Sequence, residues 1–298
     1  MFFPRLRLIA SSLLMLSASA HAADTFGPAA VPAAAQAFHV GTLEVVALQD
    51  ARYVAPNDGK VFGADVGPAV VAARLKAHGL AEDRITLSVN ALLVKGAGHV
   101  SLLDTGLGTK AHGGLLDSLK AAGVAPAAIT DVMITHSHGD HIGGLVSASG
   151  ALNFPKATIR MAAAEWEAMK KQADLADLVK TVTPQVQTFQ AGDEVVPGIR
   201  AVELAGHTPG HMGYEISQGG QQLLDIGDMA HSSVLSLENP EWNMGFDGDK
   251  AVAKTTRRAT LARLAKSQEL VFAPHFPYPG TGRIAMEGNA FAWVPAKP

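Results

Sequence analysis

Hydrophobic and polar positions along the chain fall into short apolar runs that alternate with helical stretches. Residues 41–50, GTLEVVALQD, alternate closely enough to predict a strand. Residues 67–79, GPAVVAARLKAHG, predict a helix stopped by Gly79. Between them, 51–66 reads as a long loop, a length that in a compact domain often serves function. Residues 84–106 predict two strands around a Gly-rich turn, followed by a helix near 111–123. Short strands are predicted at 130–135 (TDVMIT) and 156–162 (KATIRMA), then a helix over 163–180. Two more strands, 198–205 and 211–217, precede a strand at 221–228 that ends in Asp228. A helix over 248–267 and a strand over 269–275, ending in His275, complete the pattern. Strands interleaved with helices predict a layered α/β architecture. Most strands run apolar and then deliver polar residues at their C-terminal ends.

The first 22 residues stand outside this pattern. They combine a basic start (Arg5, Arg7), an apolar run from Leu8 to about Leu16 and a small-residue end at Ala20-His21-Ala22. That is the three-part form of a secretory signal. The run is too short for a bilayer span, which takes ~20 apolar residues. Export to the periplasm or outside the cell is therefore expected. Residues 23–37, rich in Ala and Pro, read as a flexible leader, and 38–298 as one catalytic domain. Loss of Arg5 and Arg7 takes the basic residues from 24 to 22 against 27 acidic ones, and the net charge from −3 to −5. Such a balance gives no electrostatic reason to bind nucleic acid or an anionic membrane. The chain contains no cysteine, so neither disulfides nor thiolate ligands are available. Any metal site has to use imidazole and carboxylate.

Those groups are concentrated at the predicted strand ends. ITHSHGDHIGG (134–144) carries His136, His138, Asp140 and His141 within six positions, between an apolar strand and Gly143-Gly144. Imidazole and carboxylate suit zinc, manganese, iron or cobalt, and four such groups can face two ions. GHTPGH (206–211) adds His207 and His211; His207, directly after a strand, is the better ligand, and His211 reads as structural. In DIGDMAH (225–231), Asp228 follows Gly227 in a position to bridge two ions, Asp225 reads as structural, and His231 as a neighbour of the site. His275 closes the last strand.

With HSHGDH, GHTPGH, Asp228 and His275 in this order, the chain resembles the metallo-β-lactamase superfamily over about residues 40–295. LEVVALQDA (43–51), ITHSHGDHIGGL (134–145), VPGIRAVELAGHTPGH (196–211) and HFPYPGTGRIAMEGNAFAWVP (275–295) are most similar to methyl parathion hydrolase and related secreted lactonase-like enzymes. The resemblance implies a four-layer αββα sandwich with two metal ions at one edge. His136, His138 and His207 would hold the first ion, Asp140, His141 and His275 the second, and Asp228 would bridge them. It places Asp104 of LLDTG near the site in a structural role. Absence of cysteine excludes the β-lactamase class that uses a thiolate, and His138 stands where flavin-linked diiron relatives usually carry Glu. Relatives of this kind often form homodimers.

The function expected is an exported binuclear hydrolase of ester, lactone or organophosphate triester bonds, with two divalent ions, zinc foremost. Metal-bound water is acidic enough to ionise near neutral pH, and Asp140 is the expected proton carrier. A small-molecule substrate would enter through 51–66, the segment after 163 and 229–247, with Phe62, Trp166 and Phe276 as aromatic pocket candidates. Two alternatives stand beside this reading: a periplasmic metallo-β-lactamase, and a non-catalytic zinc-binding protein.

Overall fold

The computed structural model describes residues 26–297; the expected signal, 1–22, lies outside the described residues. Its strands are β1 (Gly27–Ala30), β2 (Ala35–Val40), β3 (Leu43–Pro56), β4 (Arg84–Gly96), β5 (His99–Leu103), β6 (Asp131–Ile134), β7 (Thr158–Ala162), β8 (Val186–Phe189), β9 (Glu194–Val196), β10 (Ile199–Glu203), β11 (Met212–Gln218), β12 (Gln221–Asp225), β13 (Leu270–Phe272), β14 (Thr281–Glu287) and β15 (Ala290–Pro295). The helices are α1 (Pro68–Ala77), α2 (Leu115–Ala121), α3 (Gly139–Ile142), α4 (Ala163–Met169), α5 (Ala176–Val182), α6 (Leu235–Glu238) and α7 (Lys250–Ser267). One sheet runs β1-β3-β4-β5-β6-β7-β8, with β2 also on β3; the other runs β15-β14-β13-β12-β11-β10-β9.

Alternating side chains divide the interior into layers. Val46, Leu48, Leu93, Leu102 and Ile134 of the first sheet pack against Leu119 of α2, Trp166 of α4 and Val182 of α5. Their chain neighbours Val45, Ala47, Leu92, Leu103 and Met133 face the other way, onto Ala201, Tyr214, Ile216 and Phe272 of the second sheet. The outer face of that sheet, with Leu224, Val271 and Ile284, receives Leu261 and Leu264 of α7. The result is the expected αββα sandwich. Strands buried on both faces read as continuous apolar runs, as in DVMI of β6, where every residue is buried. α7 starts at Asp249, whose carboxylate accepts from the N–H groups of Ala251 and Val252.

Several elements differ from expectation. Residues 51–56 belong to β3, which continues past a register shift between Gln49 and Ala51. That bulge breaks the alternation on which a sequence reading depends. The described part of the 23–37 leader is not free chain: β1 and β2 both pair with β3, a non-local partner that composition does not reveal. The helix over 163–180 is two short ones, because Gln172 is extended at their junction and turns its Nε2 to Ser137 Oγ at 3.3 Å. β12 stops at Asp225 and β13 at Phe272, so Asp228 and His275 sit on the loops beyond.

β5–β6 and β12–β13 are parallel pairs. The segments leaving their C-terminal ends carry Asp104, residues 135–141, Asp228 and His275 to one edge of the sandwich. That placement follows the rule that open sheets bind ligands beyond the carboxyl ends of their strands.

Candidate metal centre

All seven side chains expected as ligands converge at that edge, in two sets. His138 Nδ1 lies 3.0 Å from both His136 Nε2 and His207 Nε2, so three imidazole nitrogens face a common point. His141 Nε2 and His275 Nε2 lie 3.7 and 3.6 Å from Asp140 Oδ2. Asp228 stands between the sets and divides its oxygens. Its Oδ1 is 3.1 Å from His141 Nε2 and 2.9 Å from His275 Nε2. Its Oδ2 is 3.5 Å from His136 Nε2 and 3.2 Å from His207 Nε2.

Most of these imidazoles are fixed from behind through the nitrogen that faces away. His141 Nδ1 is 2.7 Å from Asp104 Oδ2, and Asp104 also accepts from the N–H and Oγ1 of Thr135 at 2.8 Å each. His207 Nδ1 is 3.0 Å from Asp247 Oδ1, and Asp247 is paired with the buried Arg257 at 2.6 Å. His275 Nδ1 donates to Ser88 O at 2.8 Å, and His136 Nδ1 meets Thr135 Oγ1 at 3.0 Å. Such partners fix the tautomer and ring orientation of a metal-binding histidine. Gly227 makes the turn that presents Asp228: its φ is +46°, and a Cβ there would lie 2.6 Å from His211 Nε2. That nitrogen accepts from Asp228 N at 2.9 Å while His211 Nδ1 donates to Leu204 O, so His211 is structural. Asp225 is structural too; its Oδ1 accepts from Gly227 N.

The donor set fits divalent cations. His141 Nε2, His275 Nε2 and Asp228 Oδ1 are buried and, close as the two nitrogens lie to that oxygen, neither pair is aligned as a hydrogen bond, an arrangement costly for polar atoms unless something else binds them. Three overlapping candidate ligand groups form among the described residues: His136, His138, His207 and Asp228; Asp140, His141 and His275; and Asp228, His231 and His275. Electrostatics of the cation-free set agree. Burial would raise Asp228, but the surrounding imidazoles, His275 and His141 first, hold it well below the usual carboxylate range. Burial opposes the charge on His207, yet Asp228 and Asp247 lift it to about 9. His136 lies well below the ordinary imidazole value, chiefly through burial. Protons thus collect around Asp228 where divalent charge would replace them.

Above the ligands is a cavity of about 480 Å³ walled by Tyr53, Leu87, Leu107, Ala111 and Phe246. Phe62, Trp166 and Phe276, the expected pocket aromatics, do not line it; each is part of a buried core cluster. Phe246, 41 % exposed, takes that place at the rim. His231 also lines the cavity: its Nε2 is 3.0 Å from Asp228 Oδ2 and its ring stacks on His275 at 5.3 Å. A larger groove, about 580 Å³, beside α7 and the β14–β15 hairpin contains no imidazole.

Comparison with known proteins places this geometry. The family model for the metallo-beta-lactamase superfamily matches residues 84–275, more than half the chain. An N-acyl homoserine lactonase of Bacillus sp is 29 % identical over 165 residues, 54 % of this chain and 61 % of that protein. The match thus spans about three-fifths of that relative's length. A solved structure of AidC, a dizinc quorum-quenching lactonase in complex with a product N-hexanoyl-L-homoserine, superposes with a TM-score of 0.84 at 28 % identity, over 89 % of this chain and 98 % of that one. The hydrolase AbOPH gives a TM-score of 0.81 at 27 % identity, over 90 % and 99 %.

Proposed function

The chain belongs to the metallo-beta-lactamase superfamily, and from that premise we propose that it is a metal-dependent hydrolase of lactones and related esters, with N-acyl homoserine lactones the leading substrate class. One observation carries the reading. A buried carboxylate, Asp228, presents one oxygen to each of two ligand sets beneath a cavity with apolar walls. AidC and the Bacillus relative are both lactonases, which supports the lactone.

Two divalent ions, zinc in this reading, would be held by His136, His138 and His207 and by Asp140, His141 and His275, with Asp228 shared. When bound they supply Lewis-acid polarisation of the substrate oxygen and water activated at neutral pH. The chain's own groups do the rest. Leu87, Leu107, Ala111 and Phe246 take the apolar acyl arm and exclude water. Asp140 borders the same cavity and is partly exposed. Its carboxylate accepts the proton of the attacking water as the new C–O bond forms at the carbonyl. It returns that proton to the ring oxygen as the lactone C–O bond breaks. Asp140→Asn cannot accept that proton and is expected to lower lactone kcat by roughly 10²-fold or more; unchanged kcat would remove Asp140 from this role.

We further propose that residues 1–22 direct export to the periplasm or beyond, which the N-terminal sequence of the mature protein tests. Substrate choice is tested by a rate panel on the metal-loaded protein: an acyl homoserine lactone, a γ-lactone, an aryl ester, a phosphotriester and nitrocefin. Fastest turnover of a lactone, lost in His138→Ala, is the expected result. Turnover of nitrocefin alone would assign a β-lactamase instead. Two bound ions without turnover of any compound would favour the non-catalytic zinc protein.

A further inference from the structure

Glu165 is fully buried in the first turn of α4 and is none of the expected ligands. Its carboxylate receives four hydrogen bonds. Oε1 accepts from Ser137 N at 2.8 Å and Ser137 Oγ at 2.6 Å. Oε2 accepts from Thr208 Oγ1 at 2.7 Å and Gly210 N at 2.9 Å. Ser137 lies between His136 and His138, and Thr208 follows His207. One oxygen therefore holds the loop after β6, and the other holds the loop after β10. Burying a carboxylate with four neutral donors and, among the described residues, no basic partner costs free energy that packing alone does not require. The approach is close as well: a Cβ on Gly210 would lie 2.2 Å from Glu165 N.

We propose that Glu165 is a positioning residue that sets the affinity of one metal subsite, that of His136, His138 and His207, and leaves the other largely independent. The inference rests on the two-metal reading. Its basis is that Glu165 bonds to the residues directly beside the first subsite's histidines, whereas the second subsite's histidines have their own nearest partners, the one shared contact being Thr135 Oγ1, which meets both His136 Nδ1 and Asp104. The three histidines of the first come from two loops that meet 3.0 Å apart at His138 Nδ1 and His207 Nε2, and Glu165 bonds to both loops. His141 and His275 of the second are held by Asp104 and by Ser88 O.

Glu165→Gln is a sharp test because an amide cannot accept from both backbone donors. Ser137 N and Gly210 N are backbone donors that cannot turn away. Whichever way the amide faces, its NH₂ meets one of them. The backbone bond to one loop is lost and leaves two donors opposed, even where the hydroxyl of Ser137 or Thr208 turns to accept from the NH₂, while side-chain volume is kept.

Wild type and Glu165→Gln would be titrated with Cd²⁺ and followed by ¹¹³Cd NMR, in which a three-imidazole subsite is distinct in chemical shift from a two-imidazole one. Affinities would come from competition with a chromophoric chelator. The expected result is a 10–100-fold weaker three-imidazole subsite, with the other subsite changed by less than about threefold. Asp104→Asn should weaken the subsite of His141 most and the three-imidazole subsite less, through Thr135 and His136. Equal weakening of both subsites, or of neither, in Glu165→Gln would overturn the proposal. If Glu165→Gln does not fold, Thr208→Val removes only the Thr208 Oγ1 bond and must show a smaller loss at the same subsite; loss at the other one overturns the proposal. Fewer than two Cd²⁺ signals in wild type would instead contradict the two-metal reading itself.

Discussion

Asp228 has the most demanding position of any single residue. It is buried, it faces five imidazoles, and its two oxygens serve different ligand sets. Asp228→Asn keeps the shape but leaves one side facing an NH₂ group. It should bind at least one metal ion fewer per chain and lose lactone turnover 10²-fold or more; elemental analysis with rates on the same sample checks both. Phe246 belongs to specificity instead. Being 41 % exposed at the cavity rim, it can contribute only part of a full side-chain burial, ~1 kcal/mol. Phe246→Ala should therefore raise KM about fivefold for long-chain acyl lactones and leave short-chain ones nearly unchanged. The seven side chains that meet at the candidate centre could be picked out in sequence because metal chemistry restricts donors to few residue types and clusters them beside glycines. Their supports were legible only in part: the family resemblance placed Asp104 near the site, and it bonds to His141, but Asp247, which reaches His207 from 40 positions away, carries no mark of such a partner.

Among the elements, the apolar strands were the legible part, since β6 is buried throughout and β4, β5 and β7 over part of their length, and such stretches read as apolar runs. Strand ends were legible only to within a few residues, because backbone pairing across the sheet, and not local composition, decides where β12 and β13 stop. The bulge in β3 and the pairing of β1 and β2 were hidden for the same reason. One element carries a pH signature outside the metal centre. Asp131 begins β6, buried beside His99 Nδ1 at 2.7 Å and Arg160 Nε at 2.6 Å. Burial would raise its carboxyl, but bonds from His99, Thr130 and Arg160 outweigh it and hold the group below its ordinary 3.8. A depressed folded-state value means stability that is present above about pH 4 and lost as pH falls through the folded value. Asp131→Asn should cost about 1–3 kcal/mol at pH 7. In urea unfolding of the metal-free proteins, that gap should narrow below pH 4. A gap independent of pH would show that charge is not the cause.

At the scale of the whole molecule, the metal centre connects the two halves of the sandwich. His136, His138, Asp140 and His141 leave the first sheet, whereas His207, Asp228 and His275 leave the second. Ions bound between them oppose separation of the sheets. An ion present at 1,000 times its dissociation constant stabilises the folded state by ~4 kcal/mol, so chelation should lower Tm by several degrees, and zinc should restore it. No helix among the described residues is long and apolar enough to cross a membrane, and the cavity opens at the sheet edge to a small molecule. We propose that two ions in this centre make the chain a lactone hydrolase. The most direct measurement is stepwise chelation of the zinc-loaded protein, with metal content and acyl homoserine lactone turnover followed on each sample. Two ions per chain at the start, and turnover that falls with their removal and returns with zinc, is the predicted result. Full lactone turnover in metal-free protein, or a fully loaded protein that opens no lactone, would contradict it.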